Sequence, residues 1–237
     1  MYMRFSKTVT TLSLGLLFIS SLSVLAQDNV EKNKRAAAKT STMASQALAE
    51  LMSIPANTIP ESLLKDAKAI AVFPNVVKGA FIVGGSGGRG LISRRIGDEW
   101  SAPAMFQIGA GSIGFQIGGS STDIVMLFMS EDSLPALLRS KFEIGGELSA
   151  AGGPVGRTAK ATTDAQMRAK ILSYSRSRGI FAGISLTGAV IRALDGQNQA
   201  VYKSNAKQIL DIPSSIASAN IPSETKQFHE VVSKLGR

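Results

Sequence analysis

The sequence predicts an α+β fold: a curled, largely antiparallel, glycine-rich β-sheet approaching a barrel, with N-terminal and C-terminal helices packed on it. Three observations carry this. Of the 23 glycines in 237 residues, 21 lie between Gly79 and Gly196; glycine is costly inside helices, so the flanks can be helical and the middle is not. Within that middle, apolar runs of strand length follow one another with turns rather than long helices between them, the pattern of an antiparallel sheet. Glycine inside strands marks bends and bulges, as when a sheet curls. With 44% hydrophobic and 18% charged residues the chain can bury a sizeable core.

Taken in order, the first element is an address. Arg4 and Lys7 precede an apolar run from Thr8 to Leu25, and Val24-Leu25-Ala26 supplies the side chains a signal peptidase reads. Residues 1–26 therefore read as a signal peptide, and the protein as exported, to the periplasm or envelope of a bacterium or into the medium. As a membrane anchor the run is short and diluted by Ser and Thr. Without Arg4 and Lys7 the formal charge falls from +9 to +7, so the basic excess survives processing. Residues 27–59 read as an N-terminal basic amphipathic helix, in which the alanines, Met43, Leu48, Leu51 and Met52 fit a helix over 28–53 that Pro55 stops.

The core is expected over 60–212. A short helix follows Pro60, with Leu63, Leu64 and Ala67. Ala69 to Phe73, ended by Pro74, Ala80 to Val83, and Ile124 to Met129 are apolar runs expected to be strands covered on both faces. Segments 89–95, 104–118 and 142–151 extend the set, and Ser130 to Ser140 reads as a short helix. Over Ile180 to Val190 the even positions Ile180, Ala182, Ile184, Leu186 and Val190 are apolar, which predicts one strand of period two. Residues 213–237 hold a linker and a last helix, capped by Ser223, whose Phe228, Val231, Val232 and Leu235 form one apolar face.

Composition removes much chemistry. With no Cys and one His there is no disulfide, thiolate metal site, cysteine nucleophile or multi-histidine cage. No cofactor is expected. Gly85 to Gly90 and Gly109 to Gly114 both match G-x-G-x-x-G, but a dinucleotide site needs that loop to open a helix, and each match runs into a strand-like segment. Gly84 to Gly88 matches G-x-S-x-G, which makes Ser86 a weak candidate for a serine hydrolase; its base would have to be His229, on a peripheral helix. The pairs Asp98-Glu99 and Glu131-Asp132 sit where turns and helix starts favour acids.

Positive charge is local. Lys32, Lys34, Arg35 and Lys39 form one run and Lys78, Arg89, Arg94 and Arg95 another. Between Pro154 and Ile180, Arg157, Lys160, Arg168, Lys170, Arg176 and Arg178 stand against Asp164 alone. Such clusters are either a solvated face or the seat of an anionic partner. Export and the lack of an aromatic-basic motif disfavour nucleic acid. The N-terminal helix is compatible with lying at a membrane interface, but its apolar face fits packing on the sheet better.

Phe73-Pro74-Asn75-Val76-Val77-Lys78-Gly79, with Gly84-Gly85, Gly87-Gly88, Gly90 and Arg94 after it, resembles the opening of the SYLF domain. The likeness continues through Trp100 to Pro103, Gly111 to Gly118, Asp123 to Met129, Gly153 to Arg157 and Tyr174 to Gly183, covering about residues 40–212. The resemblance implies a non-catalytic lipid-binding domain, recognising phosphoinositides in eukaryotic members and bundling actin in some fungal ones, here without the SH3 domain of eukaryotic relatives. Together with the charge clusters it implies anionic phospholipid or a membrane surface as partner. The residues expected to contribute are Lys32, Lys34, Arg35, Lys39, Lys78, Arg89, Arg94, Arg157, Lys160, Arg176 and Arg178. The alternative is an envelope interaction protein with a protein partner, host actin included if the protein reaches a host cell.

Overall fold

Alternation decides this fold. In the strand that begins at Ala69, Ala69, Ala71 and Phe73 enter one apolar cluster while Ile70 and Val72 enter another, all of them fully buried. A strand buried on both faces must sit inside a sheet covered on both sides, and this one does. The computed structural model describes residues 9–53, 58–81, 85–110, 121–139, 141–146, 148–156, 166, 168–177, 179–211 and 221–235, without the side chains of 9–26, 78–81, 85, 86 and 110.

Its strands are β1 (Ala69–Phe81), β2 (Gly85–Ile96), β3 (Glu99–Trp100), β4 (Ala104–Ala110), β5 (Thr122–Phe128), β6 (Lys141–Glu143), β7 (Ala150–Gly152), β8 (Ile171–Ser177), β9 (Ile180–Gly183) and β10 (Ala189–Ala193). The helices are α1 (Val9–Ser53), α2 (Glu61–Asp66), α3 (Leu134–Leu137), α4 (Asp195–Tyr202), α5 (Ala206–Asp211) and α6 (Ser223–Val232). One strongly curled sheet, a half-barrel, runs in the order β6-β10-β4-β2-β1-β5-β8-β7, with β3 on β2 and β9 on β8. Of the pairs among the described strands only β7 with β8 is parallel. The α+β, largely antiparallel expectation holds.

The helix face of the sheet carries Ile70, Val72, Leu91, Met105, Val125, Leu127 and Tyr174 beneath α1, α2 and α6. The opposite face carries Phe73, Phe106, Met126, Phe128 and Ile191, closed by Leu134 and Leu137 of α3, Phe142 of β6 and Ile209 and Leu210 of α5. Phe128 and Phe142 meet edge to face there, their centroids 6.1 Å apart.

Several expectations need correction. Pro74 does not end its strand: β1 continues to Phe81 through a register shift between Val72 and Val77, where Asn75 takes φ 50°. Pro is tolerated at a bulge because no ladder hydrogen bond is asked of it there, and Asn accepts the left-handed region. The segment 180–190 is two strands, β9 and the start of β10, separated by a turn with Gly188 at φ 85°. Within β9 the parity is opposite to that expected, Phe181 being buried and Ile180 72% exposed, whereas Leu186, in the connection to β10, is fully buried as expected. The segment 142–151 likewise divides into β6 and β7. β8 went unpredicted as a strand because Ser173, Tyr174, Ser175 and Arg176 read as a polar basic stretch, yet Leu172, Ser173 and Tyr174 are buried. Ser223 does not cap α6; its hydroxyl bonds Glu224, and Pro222 occupies the cap position. Residues 82–83 and 111–118 lie outside the described residues.

Candidate interaction surface

α1 is built from small residues on one side. Ala37, Ala44, Ala47, Leu48 and Leu51 are buried with Thr40, Ser41 and Ser45. Thr40 Oγ1 donates to the Ala36 carbonyl and Ser45 Oγ to the Ser41 carbonyl, so two of the buried hydroxyls are satisfied inside the helix. Ser41 Oγ accepts from the Phe228 N–H at 3.4 Å and Thr42 Oγ1 donates to Gln227 at 3.0 Å, tying α1 to α6. Of the two fates open to this apolar face, packing on the sheet is the one found.

With that side occupied, Lys32, Arg35, Lys39, Thr42 and Gln46, spaced i, i+3, i+7, i+10 and i+14, form an exposed stripe. Lys32, Arg35 and Lys39 make no ion pair among the described residues, whereas Lys34 leans on Glu31 at 3.6 Å. The far end of α1 is pinned. Arg176 of β8 pairs with Glu50 of α1 and with Asp123 of β5 at 2.9 Å. Burial alone lowers the Arg176 pKa, but its bonds to Glu50 and Asp123 outweigh that and raise it. Asp123 also accepts from the Asn75 N–H at 2.9 Å, so one carboxylate holds the bulge and the clamp together.

Other basic residues are likewise committed internally. Arg94 pairs with Asp211 of α5 at 2.6 Å. Arg95 lies 4.3 Å from the Trp100 ring centroid and donates to the Leu64 and Ala67 carbonyls; burial lowers its pKa, with the Asp98 charge pulling the other way. Arg157, Lys160 and Arg178 lie outside the described residues, as does the side chain of Lys78.

Arg89 is exposed, and the sheet gives it neighbours that sequence reasoning missed. Arg89 of β2 pairs with Gln107 of β4, Gln107 with Arg192 of β10, and Arg192 with Lys141 of β6. Paired residues share a face, so these four stand in one row across four strands, about 14 Å from end to end. Arg192 and Lys141 are exposed and Gln107 is half-buried. Among the described residues none of the three cations has an ion pair. No local motif reports such a row, because its members lie far apart in sequence; only the strand registers assemble it.

The hydrolase geometry is absent. His229 Nε2 lies 3.1 Å from Ser233 Oγ, and the ring sits against Ser101 and Glu99 beside β3. β3 pairs with Arg95 and Ile96 at one end of β2, whereas Ser86 lies at the other, nine residues or about 30 Å along the strand. Gly85 to Gly90 lie wholly within β2 and open no helix, so the phosphate-loop reading of that motif fails too.

The family model described as Ysc84, a Las17-binding protein actin regulator, matches residues 109–235. The chain belongs to the Ysc84 (SYLF) family. Curated Ysc84 relatives include an SH3 domain-containing protein of Schizosaccharomyces pombe, 37% identical over 158 residues, 64% of this chain and 36% of that protein. LAS seventeen-binding protein 3 of Saccharomyces cerevisiae is 34% identical over 158 residues, 64% of this chain and 34% of its own. The human SH3 domain-containing YSC84-like protein 1 is 32% identical over 150 residues, 62% of this chain and 44% of its own. The chain thus spans between about a third and a half of the relatives' length. The family match begins at Gly109, so the basic stripe of α1 and Arg89 precede it, while Arg192 and Lys141 fall inside it.

Proposed function

We propose that this protein is exported and acts without catalysis, docking on anionic lipid surfaces through the outward stripe Lys32, Arg35 and Lys39 of α1. One observation carries the reading: α1 is held on the sheet by its apolar side and by the Arg176 clamp, which leaves three cations, without an ion pair among the described residues, projecting together. Near an anionic lipid surface each basic side chain adds about 1 kcal/mol, so three held on a rigid helix matter where one would not. Export rests on the signal-like segment 1–26.

Flotation with vesicles of graded anionic lipid content, at graded salt, tests this. Binding is expected to rise with lipid charge, fall with ionic strength, and be lost in a Lys32→Glu, Arg35→Glu, Lys39→Glu variant. Binding indifferent to lipid charge and salt would overturn it. A second reading, a protein partner, is favoured by the Las17-binding description of the family. That reading is supported if flotation fails while the purified protein retains a saturable protein partner.

A further inference from the structure

The row Arg89–Gln107–Arg192–Lys141 lies on the helix face of the sheet, where the helix layer stops. One step along their strands, Leu91 of β2 and Met105 of β4 are fully buried. α4 is bonded there, Asn198 accepting from the Met105 N–H at 2.7 Å and donating to the Met105 carbonyl at 3.2 Å. Arg89 and Gln107 are thus the first residues to emerge beyond the helices. A helix with its side chains is about 10 Å across, so the row sits at the foot of a step.

That placement selects among anionic partners. A flat bilayer is held off the row by the helices beside it. A peptide strand added to the sheet would run along β6, the end of the strand order, and meet Lys141 alone on this face. What fits is a slender, flexible chain of closely spaced charges lying across the strands. Two arginines flank the Gln107 amide, each with a planar fork that suits phosphate oxygens, and Lys141 extends the row as a point charge. Among the described residues, the acid on this face near the row is Glu143, exposed and paired with Val190 one step from Arg192, and it bounds the row.

We infer that Arg89, Gln107, Arg192 and Lys141 form a cross-strand site for a linear phosphate polyanion, separate from the stripe on α1. This goes beyond the membrane reading and does not depend on it. The test is titration calorimetry of the purified protein with tripolyphosphate at low ionic strength. The Arg192→Gln, Lys141→Gln variant is expected to weaken binding about tenfold or more. Both residues are exposed, and an unchanged thermal melt verifies the fold. Glu143→Gln removes the opposing charge that the described residues place beside the row and is expected to tighten binding about threefold, a gain that unfolding cannot imitate.

Orthophosphate is expected to bind more weakly than tripolyphosphate, and a hexaglutamate peptide more weakly still. Vesicle flotation is expected to be unchanged in Arg192→Gln, Lys141→Gln. Equal tripolyphosphate binding by this variant and the parent would overturn the site. So would hexaglutamate binding as tightly as tripolyphosphate, or loss of tripolyphosphate binding in the Lys32→Glu, Arg35→Glu, Lys39→Glu variant. Loss of flotation in that α1 variant alone speaks to the membrane reading and leaves the row standing.

Discussion

Four single residues have consequences that can be measured. His229 is the only histidine, and burial lowers its pKa, with the Ser101 backbone, Glu230 and Glu99 pulling the other way. Since the folded-state pKa lies below the unfolded value of about 6.5, the unfolded chain takes the proton first as pH falls. The stabilisation is complete above that value and is lost as pH drops through it toward the folded pKa. Urea midpoints should therefore fall between pH 7.5 and 5.5, and His229→Gln should flatten that slope; an equal slope in the variant would remove His229 as its source. At Gly90 a Cβ would stand 2.2 Å from the Val72 carbonyl oxygen and 2.9 Å from the Phe73 Cα, both backbone atoms. Gly90→Ala should cost about 2 kcal/mol or more, whereas Gly97→Asn, in open space at φ 60°, should be nearly silent in the same denaturation series. Arg176→Gln breaks a partly buried clamp between α1, β5 and β8 and should cost about 1–2 kcal/mol, between the values for exposed and buried pairs.

At the scale of elements, α1 acts as a lid on one face of the sheet as well as the carrier of the basic stripe. Leu48 is fully buried against the core. Leu48→Ala should cost about 2–4 kcal/mol by urea denaturation, whereas Gln46→Ala, on the outward stripe, should change little. The amphipathic side of α1 was legible because helix periodicity is local and unbroken by glycine. The runs Ala69 to Phe73 and Ile124 to Met129 were legible because burial on both faces leaves an uninterrupted apolar string, the second ending one residue early, at Phe128. Where reading failed, a longer-range cause decided. Phe181 rather than Ile180 faces the core because β8 pairs Phe181 with Arg176 on the side that α1 covers. Tyr174 is buried against Phe181, the rings stacked at 5.4 Å with Gly153 closing over the phenol, and that environment raises its pKa. Nothing in the string Ser-Tyr-Ser-Arg announces it. The cationic row is the same case: Arg89 stood out locally, but Arg192 and Lys141 acquire meaning only from the order β2-β4-β10-β6.

For the whole molecule, one sheet carries an apolar cluster on each of its faces. Phe73 and Val72 are neighbours on β1 yet belong to different clusters, so loss of either cluster strips one face of the same hydrogen-bonded ladder. A half-barrel stripped of α1 and α6 would expose Ile70, Val72, Leu91, Val125 and Leu127 together, a patch no monomer keeps in water. The two layers should therefore unfold as one cooperative unit. The chain offers a clean probe, since its single tryptophan, Trp100, is 3% exposed and lies in the helix-face cluster. Far-UV circular dichroism reports the whole sheet. The two signals should share one urea midpoint, and that midpoint should move together for Leu48→Ala on the helix face and Phe142→Leu on the opposite face. If instead Trp100 fluorescence changed ahead of the dichroism, or answered to Leu48 but not to Phe142, the helix layer would be a separable cover. The stripe of α1 would then be carried by a segment free to leave the sheet, and its three cations would reach a membrane as a released helix rather than as part of a rigid surface.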